Sequence, residues 1–220
     1  MPSLTVENYV KAIYQICAAS GKPAATGQTA AALGVSPGTV TSMLKTLSES
    51  NLATYMPYEG VNLTAAGSAL ALRVVRRHRL IELFLVNTLK LSWDEVHEEA
   101  EHMEHAVSDR LIDQIDAFLG YPHADPHGDP IPKPDGSFGA PAANRTLADC
   151  LAGEQFRLSR VIDQSPSFLR FLSGSGLPLG TAGQVVANER EAGTVTIQVA
   201  GQSTTLGREA AEKILVLGLD

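Results

Sequence analysis

The first fifty residues place apolar side chains at the spacing of amphipathic helices. Residues 4–18 form the first such segment, and an Ala-rich segment at about 27–33 stops at Gly34. A third segment runs from Ser36 to about Ser50, and it begins with a favourable N-cap followed by a proline suited to the first helical position. Two short helices joined by a tight glycine turn are typical of a helix-turn-helix.

The next segment predicts a wing followed by a long helix. Residues 52–64 indicate a β-hairpin, because two short β-prone runs flank the polar residues 58–60. A hairpin directly after a helix-turn-helix is typical of a winged helix. Thr64 can then cap a long helix that continues through about Lys90.

The pattern changes from helical to β-like in the second half of the chain. Ser92 and Glu95 form a capping box that opens another long helix, which we expect to reach Leu119. Residues 120–143 contain six of the twelve prolines, which predicts a partly extended linker. Several short β-prone runs follow it, with one short helix at about 166–174, and they indicate a small β-barrel.

Composition excludes several classes of protein. The chain has 220 residues, of which 44% are hydrophobic and 19% charged, as expected for a globular protein of one to three domains. No run approaches the roughly 20 apolar residues of a membrane span, and the N-terminus lacks a secretory signal pattern. Cys17 and Cys150 are the only cysteines, which excludes a disulfide scaffold or a cysteine-based zinc finger and predicts a cytoplasmic protein without membrane contact.

The net charge of −7 hides a strong asymmetry along the chain. Residues 1–80 contain seven Lys and Arg against three Asp and Glu, whereas residues 81–127 contain two against eleven. All six histidines lie between His78 and His127. A basic N-terminal segment beside an acidic, histidine-rich one suggests nucleic-acid binding in the first and metal binding in the second.

The third predicted helix presents the small and polar side chains that allow close entry into the major groove of double-stranded DNA. Hydroxyl groups there can bond bases or phosphates, and one lysine supplies charge. The candidate DNA-binding residues are Ser36, Pro37, Gly38, Thr39, Thr41, Ser42 and Lys45. The alternative is a helix-turn-helix used only for packing, but the basic flank and the wing favour DNA binding.

Histidine and glutamate side chains recur at helical spacing on the two predicted long helices, so that they can face each other and enclose divalent ions. The candidate ligands are His78 and Glu82 on the first helix, His97, Glu101, Glu104 and His105 on the second, and Asp125 and His127 in the linker. Imidazole and carboxylate without thiolate suit Mn(II), Fe(II), Zn(II) or Co(II). The alternative is a solvated acidic face stabilised by ion pairs within each helix.

Several segments of the sequence resemble the diphtheria toxin repressor family, one branch of which is the manganese transport regulators. In order over about residues 4–132 these segments are VENYVKAIYQI, TAAALGVSPGTVTSMLKTL, LTAAGSALALRVVRRHRLIELFL, VHEEAEHMEH and DPHGDPIP. The resemblance implies a mostly α protein with β structure. Its parts are a winged helix-turn-helix at 1–72, a helical dimerisation and metal-binding domain with its linker at 73–140, and an SH3-like, FeoA-like β-barrel at 147–220.

The resemblance also implies two metal sites. The primary site would comprise Glu101, Glu104 and His105 with the amide oxygen of Asn8, and the second site Glu82, Asp125, His127 and Asp163, with His78 and His97 near one or both. By this resemblance, Glu101 stands at a position where iron-responsive members of the family have Cys and manganese-responsive members have Glu. Lys11 stands where the shorter manganese regulators have an acidic residue, so their two-ion bridge should not form in the same way.

Together with these observations, the resemblance implies a homodimeric, metal-dependent repressor of metal-ion uptake genes, and no enzymatic activity. Mn(II) would shift the protein towards the arrangement that binds a palindromic operator, and Zn(II), Co(II) or Cd(II) could replace it in vitro. The alternatives are an Fe(II)-responsive repressor of the same family, a binuclear metal-dependent enzyme, in which the helix-turn-helix would have no role, and a metal-storing or interaction module.

Overall fold

The computed structural model of the chain describes residues 3–139 and 145–219 and forms two compact units. The first unit contains the residues up to His78 together with Glu101–Asp109 and Pro132–Ser137. The second contains Arg79–Ala100, Arg110–Ile131 and the residues from Phe138 onwards. Each unit therefore joins segments that are distant in sequence.

A winged helix forms most of the first unit, as the apolar spacing predicts. Its elements in chain order are α1 (Leu4–Ser20), α2 (Thr26–Leu33), α3 (Pro37–Glu49), β1 (Ala53–Met56) and β2 (Gly60–Leu63). The two strands pair antiparallel in the expected hairpin, and Val10, Ile13, Leu44 and Leu47 are fully buried in the core. The helix-turn-helix and its wing are thus held by one hydrophobic cluster.

Four helical segments follow the wing. They are α4 (Ala65–Phe84), which continues into a π-helical turn at Leu85–Leu89, then α5 (Val96–Met103) and α6 (Asp109–Phe118). The expected capping of α4 is confirmed, because Thr64 Oγ1 accepts a hydrogen bond of 3.1 Å from the Gly67 amide.

The expectation of one long helix from the capping box to Leu119 is wrong, because α5 ends at Met103. The amides of Ala106 and Val107 both donate to the Met103 carbonyl, and the Glu104 carbonyl accepts from Arg77 Nη1 at 3.4 Å. The chain therefore turns after Met103 and does not continue as a helix. Glu104 lies in this turn, and its side chain is fully buried.

The C-terminal part of the second unit is a six-stranded antiparallel sheet of order β3-β8-β4-β5-β6-β7. The strands are β3 (Arg145–Thr146), β4 (Gln155–Val161), β5 (Ala182–Glu189), β6 (Thr194–Val199), β7 (Gln202–Gly207) and β8 (Ile214–Gly218). A short 3₁₀ turn (Leu147–Asp149) and two helices, α7 (Pro166–Gly174) and α8 (Arg208–Ala211), connect them. The expected β-rich domain with one helix near residue 170 is confirmed.

The sheet encloses its own hydrophobic core, separate from that of the winged helix. Phe156, Leu158, Val185, Ile197 and Ile214 are almost completely buried in it. No helix within the described ranges combines the length and the apolar character that a membrane span requires.

The start of α4 depends on the absence of a side chain at Gly67. A Cβ atom there would lie 1.9 Å from the Leu52 carbonyl oxygen, whereas a Cβ atom at Gly27 in α2 would meet no atom within 4 Å. We expect Gly67→Ala to lower the free energy of unfolding by about 1–3 kcal/mol, because the helix must move away from the β1 segment. Gly27→Ala should be neutral or stabilising by up to about 1 kcal/mol. Urea denaturation measures both, and equal stability of the two variants would contradict this packing.

Candidate metal centre and DNA-binding face

The structure places the candidate DNA-binding residues on the open side of α3. Val40, Leu44 and Leu47 face the core, whereas the predicted contact residues are exposed, apart from the half-buried Thr41. Ser36 Oγ accepts from the Thr39 amide at 3.2 Å, so the N-terminal turn of α3 is capped. The face is available for contacts with bases and phosphates.

Two arginines of α4 form contacts inside the protein. Arg76 donates to the Pro132 carbonyl at 3.1 Å, and Arg77 donates to Asp109 Oδ1 at 2.7 Å. Both guanidinium groups are buried. Their positive charge therefore serves the internal structure of the first unit and does not extend the DNA-binding face.

In the first unit, the carboxylates expected to form the primary metal site surround a lysine. Lys11 Nζ, on α1, donates to Glu101 Oε1 at 2.6 Å and to the two Glu104 oxygens at 2.9 and 2.8 Å. His78 Nδ1 lies 2.6 Å from Glu104 Oε2 and 3.2 Å from Lys11 Nζ. We call Lys11, His78, Glu101 and Glu104 the lysine cluster.

His105 and Asn8, also expected at the primary site, lie in the same unit. His105 Nδ1 forms a 2.7 Å contact with Glu7 Oε2, and its Nε2 lies 3.2 Å from Glu104 Oε1 without hydrogen-bond geometry. Asn8 Oδ1 is buried without a hydrogen-bond partner in the described parts of the chain. Among the described residues, the ligand atoms of Glu101, Glu104 and His105 do not form a compact group.

In the second unit, three expected ligands do converge. Glu82 near the end of α4 and the linker residues Asp125 and His127 are all buried, and each offers one ligand atom within 4.8 Å of the others. We call these three residues the acid–histidine cluster. His97 Nδ1 lies 3.3 Å from Glu82 Oε1, and its side chain is half-exposed at the edge of the cluster.

The surroundings of His127 determine which ring nitrogen faces the acids. Nε2 donates to the Trp93 carbonyl oxygen at 2.7 Å, because a carbonyl can only accept a hydrogen bond. In the neutral ring, Nδ1 therefore carries the lone pair; it lies 3.6 Å from Glu82 Oε2 and has no hydrogen-bond partner in the described structure. The indole of Trp93 also stacks on the imidazole, with ring centroids 6.1 Å apart. Sequence reasoning missed Trp93, since a main-chain contact leaves no signal in a sequence.

Burial and mutual repulsion shift the protonation of this cluster. Burial, followed by the negative charges of Asp129 and Glu82, raises the pKa of Asp125 to about 7, against the opposing charges of His127 and Arg79. Burial by itself would lower the pKa of His127, but the neighbouring Glu82 and Asp125 carboxylates raise it above its usual value. The cluster therefore favours the protonated forms of Asp125 and His127, although Arg79 Nε lies 3.6 Å from Asp125 Oδ2.

The linker is held in place by a second set of contacts that sequence reasoning did not find. Asp125 Oδ1 accepts from the amides of His127 and Asp129 at 2.8 and 2.9 Å, which closes a turn around Gly128. The carboxylate of Asp129 pairs with Arg79 at 3.2 Å and with Arg160 of β4. Arg160 thus holds the linker.

Close backbone packing fixes the same turn against β4. The Val161 amide donates to the His127 carbonyl at 2.9 Å, and a Cβ atom on Gly128 would lie 2.1 Å from the Ser159 carbonyl oxygen. Gly128 also has φ +87, a conformation that favours glycine. The spacing of Asp125, His127 and Gly128 is thus a structural requirement as well as a chemical one.

Asp163, expected from the resemblance at the second site, has other partners. Lys213 Nζ donates to its Oδ2 at 2.8 Å and the Ser165 amide to its Oδ1 at 3.0 Å. These hydrogen bonds lower the pKa of Asp163 to about 2. Within the described chain, Asp163 is not grouped with Glu82, Asp125 and His127.

The two clusters differ in their fit to a divalent cation. The acid–histidine cluster offers two carboxylates and an unpartnered imidazole lone pair, which is a donor set that hard divalent ions accept. The lysine cluster already contains a positive charge between its carboxylates. With Lys11 in this position, the lysine cluster does not fit an additional cation.

Comparison with known proteins agrees with the architecture. Three family profiles match successive parts of the chain: "Iron dependent repressor, N-terminal DNA binding domain" over residues 1–61, "Iron dependent repressor, metal binding and dimerisation domain" over 64–133, and "FeoA domain" over 145–217. A winged helix followed by a metal-binding domain of this kind defines a metal-dependent, DNA-binding transcriptional regulator. The chain belongs to the iron-dependent (diphtheria toxin) repressor family, a family of DNA-binding transcriptional repressors, and this confirms the resemblance seen in its sequence.

Individual relatives match the chain over most of their length. A structure described as a manganese-dependent transcriptional repressor in complex with manganese is 40% identical, with a TM-score of 0.87, and the match covers 97% of this chain and 100% of the other. An uncharacterised HTH-type transcriptional regulator of Methanocaldococcus jannaschii is 33% identical over 53% of this chain and 94% of its own. The diphtheria toxin repressor of Corynebacterium glutamicum is 27% identical over 96% of this chain and 95% of its own.

The raised pKa of Asp125 predicts a pH dependence of stability in metal-free protein. An unfolded Asp ionises near pH 4, whereas Asp125 in the folded state stays protonated up to about pH 7, so its contribution to stability falls as the pH rises between these values. Asp125→Asn removes this loss but keeps an oxygen that can accept the two amide hydrogen bonds. The variant should gain on the order of 4 kcal/mol relative to wild type between pH 4 and pH 7.5.

Chemical denaturation with a chelator present, at several pH values, measures the difference. Asp135→Asn is the control, because hydrogen bonds from Ser137 lower the pKa of the exposed Asp135 and so give the opposite sign. Parallel stability curves for wild type and Asp125→Asn would show that Asp125 ionises normally in the folded protein.

Proposed function

We propose that this chain is a Mn(II)-responsive repressor of metal-ion uptake genes that binds a palindromic operator as a homodimer. The acid–histidine cluster is the observation that carries the proposal. Glu82, Asp125 and His127 are buried together with ligand atoms within 4.8 Å of one another. Arg79 Nε lies 3.6 Å from Asp125 Oδ2, and a bound divalent ion would add further positive charge where two carboxylates are buried side by side.

The chemistry of the donors supports manganese. The cluster contains carboxylate oxygens and one imidazole but no thiolate, and hard oxygen donors suit Mn(II). The similar manganese-dependent repressor, at 40% identity, agrees with this choice. Iron-responsive proteins occur in the same family, so Fe(II) is the competing ion that the experiment must include.

We take Glu82, Asp125 and His127 as the ligands, with His97 at the edge of the site. His127 would bind through Nδ1, because Trp93 holds Nε2. Asp163 is left out of this set, since its carboxylate is engaged by Lys213 and Ser165.

Exposed apolar residues in the second unit support the homodimer. Leu111, Phe118 and Tyr121 have relative exposures of 48%, 69% and 68% on or just after α6, while Ile112 and Ile115 on the same helix are buried. Exposed apolar side chains that lie close together on one helix are typical of an interaction surface. The matching family profile names this region as a dimerisation domain.

The cluster is connected to the DNA-binding unit through the chain itself. Glu82 lies near the end of α4, whose first residue follows the wing by two positions. Neutralising the cluster favours conformations in which α4 and the linker are held together. If the operator binds those conformations better, Mn(II) and DNA strengthen each other's binding reciprocally.

The proposal predicts Mn(II)-dependent DNA binding that requires the acid–histidine cluster. Mn(II) should tighten binding to a duplex selected by the loaded protein from a random pool by about 5–150-fold, the usual range of coupling between two sites. Asp125→Asn should lose most of this gain, whereas Asp163→Asn and the exposed control Asp135→Asn should retain it. Fluorescence anisotropy of the duplex, at buffered free Mn(II) and Fe(II), gives the affinities.

The fluorescence of Trp93, the only tryptophan, provides a readout that does not depend on DNA. Because its ring stacks on His127, Mn(II) at the cluster should quench it in wild type but not in Asp125→Asn. Failure to select any duplex with Mn(II), or an equal response of Asp125→Asn and wild type, would refute the proposed function. Activation by Fe(II) at concentrations where Mn(II) has no effect would assign the protein to iron.

The DNA-binding face predicts a salt effect. Lys45 is exposed on α3, and a lysine that contacts a phosphate releases a counterion on binding. Lys45→Ala should weaken binding to all duplexes and lower the slope of log affinity against log salt by about one. Lys90→Ala, which removes an exposed charge outside the winged helix, is the control, and an unchanged slope for Lys45→Ala would show that this lysine does not contact a phosphate.

A further inference from the structure

We propose that the ammonium group of Lys11 permanently occupies the place of a cation in the lysine cluster, so that this chain binds a single Mn(II) ion, at the acid–histidine cluster. The inference rests on the proposed function, because it concerns how many ions the same protein binds. It differs from what the family resemblance implies, which is a metal ion among Glu101, Glu104 and His105.

The contacts of Lys11 account for all three of its hydrogen-bond donors. They reach Glu101 Oε1 at 2.6 Å and Glu104 Oε2 and Oε1 at 2.8 and 2.9 Å. The lysine side chain is 6% exposed and that of Glu104 is fully buried. Carboxylate oxygens of the kind that bind metal ions thus surround the ammonium nitrogen of Lys11.

Electrostatics argue against a second cation beside this ammonium. The negative charge of Glu101 and Glu104 is already shared with Lys11, and the nearby Glu7 has Arg77 Nη1 at 3.9 Å. A divalent ion would have to approach a buried positive charge or force Lys11 out of hydrogen bonds that water reaches poorly. At the acid–histidine cluster the neighbouring cation, Arg79, holds Asp125 less closely, with Nε 3.6 Å from Oδ2, and His127 Nδ1 has no hydrogen-bond partner in the described structure.

The ion pairs of Lys11 also connect separate elements of the first unit. Lys11 lies on α1, Glu101 on α5 and Glu104 in the turn that follows α5. The ion pairs therefore tie α1 to these residues within the first unit without any metal. A metal-free link of this kind would leave metal responsiveness to Glu82, Asp125 and His127.

The test counts bound Mn(II) by equilibrium dialysis with electron paramagnetic resonance of the free ion. Wild type should bind one ion per chain tightly. Lys11→Met should bind a second, because methionine keeps the apolar stem but ends one atom short of the ammonium position. In the Asp125→Asn background, which removes the proposed site, tight binding should be absent and should return when Lys11→Met is added. Lys22→Met, which removes an exposed lysine from the same unit, is the control.

Stability provides a second readout. Loss of the ammonium leaves two carboxylates without their partner, so metal-free Lys11→Met should melt on the order of 5–10 °C below wild type, and Mn(II) should restore much of the difference. Lys22→Met should melt like wild type. If Lys11→Met does not fold, the wild-type protein still decides the question by amine labelling and mass spectrometry. Lys11 should stay unlabelled with and without saturating Mn(II), while the exposed Lys22 and Lys90 react.

The outcomes separate the two proposals. A wild type that already binds two ions, a Lys11→Met variant that gains none, or labelling of Lys11 on addition of Mn(II) would overturn the inference while leaving the proposed function intact. A wild type that binds no Mn(II) and a Lys11→Met variant that binds one would overturn the proposed site but not the role of Lys11.

Discussion

Buried carboxylates need positive charge close by, and this constraint shapes the central part of the molecule. The protein meets it in two ways. Glu101 and Glu104 receive the ammonium of Lys11, at distances of 2.6 to 2.9 Å. At Asp125 the nearby cation is Arg79, with Nε 3.6 Å from Oδ2, and the raised pKa of Asp125 indicates that protons take part in the compensation. A cluster that must hold protons to remain buried is suited to exchange them for a divalent ion.

The rest of the second unit keeps that cluster in position. Asp125 begins a tight turn that is fastened to β4 by Gly128 and by the Asp129–Arg160 pair. Trp93 holds His127 through its carbonyl oxygen, and its indole packs against the core of the sheet and donates to Ser173 Oγ at 2.9 Å. The β-rich domain would thus support the proposed metal site by orienting the linker. Fixed orientation of the ligands is what makes such sites selective.

Much of this could be predicted from local pattern. The winged helix could be predicted because its helices have apolar faces and local boundary signals, such as Gly34 after α2 and Ser36 before α3. The ligand types were also predictable, since histidine and glutamate at helical spacing stand out beside an otherwise basic segment. The break after Met103 was not, because Glu104 leaves the helix to satisfy a buried charge from α1, and helical periodicity does not record such a contact.

The sequence by itself determined most of the elements, the family and the set of residues able to bind a metal, because these depend on short-range spacing and side-chain chemistry. Only the tertiary structure decided which of those residues share a cluster. It placed Lys11 beside Glu101 and Glu104, which are about ninety residues away along the chain. It also grouped Glu82 with Asp125 and His127 of the linker, and paired Asp163 with Lys213. Charge compensation between buried groups acts through space, so its partners follow from the fold and not from their order along the chain.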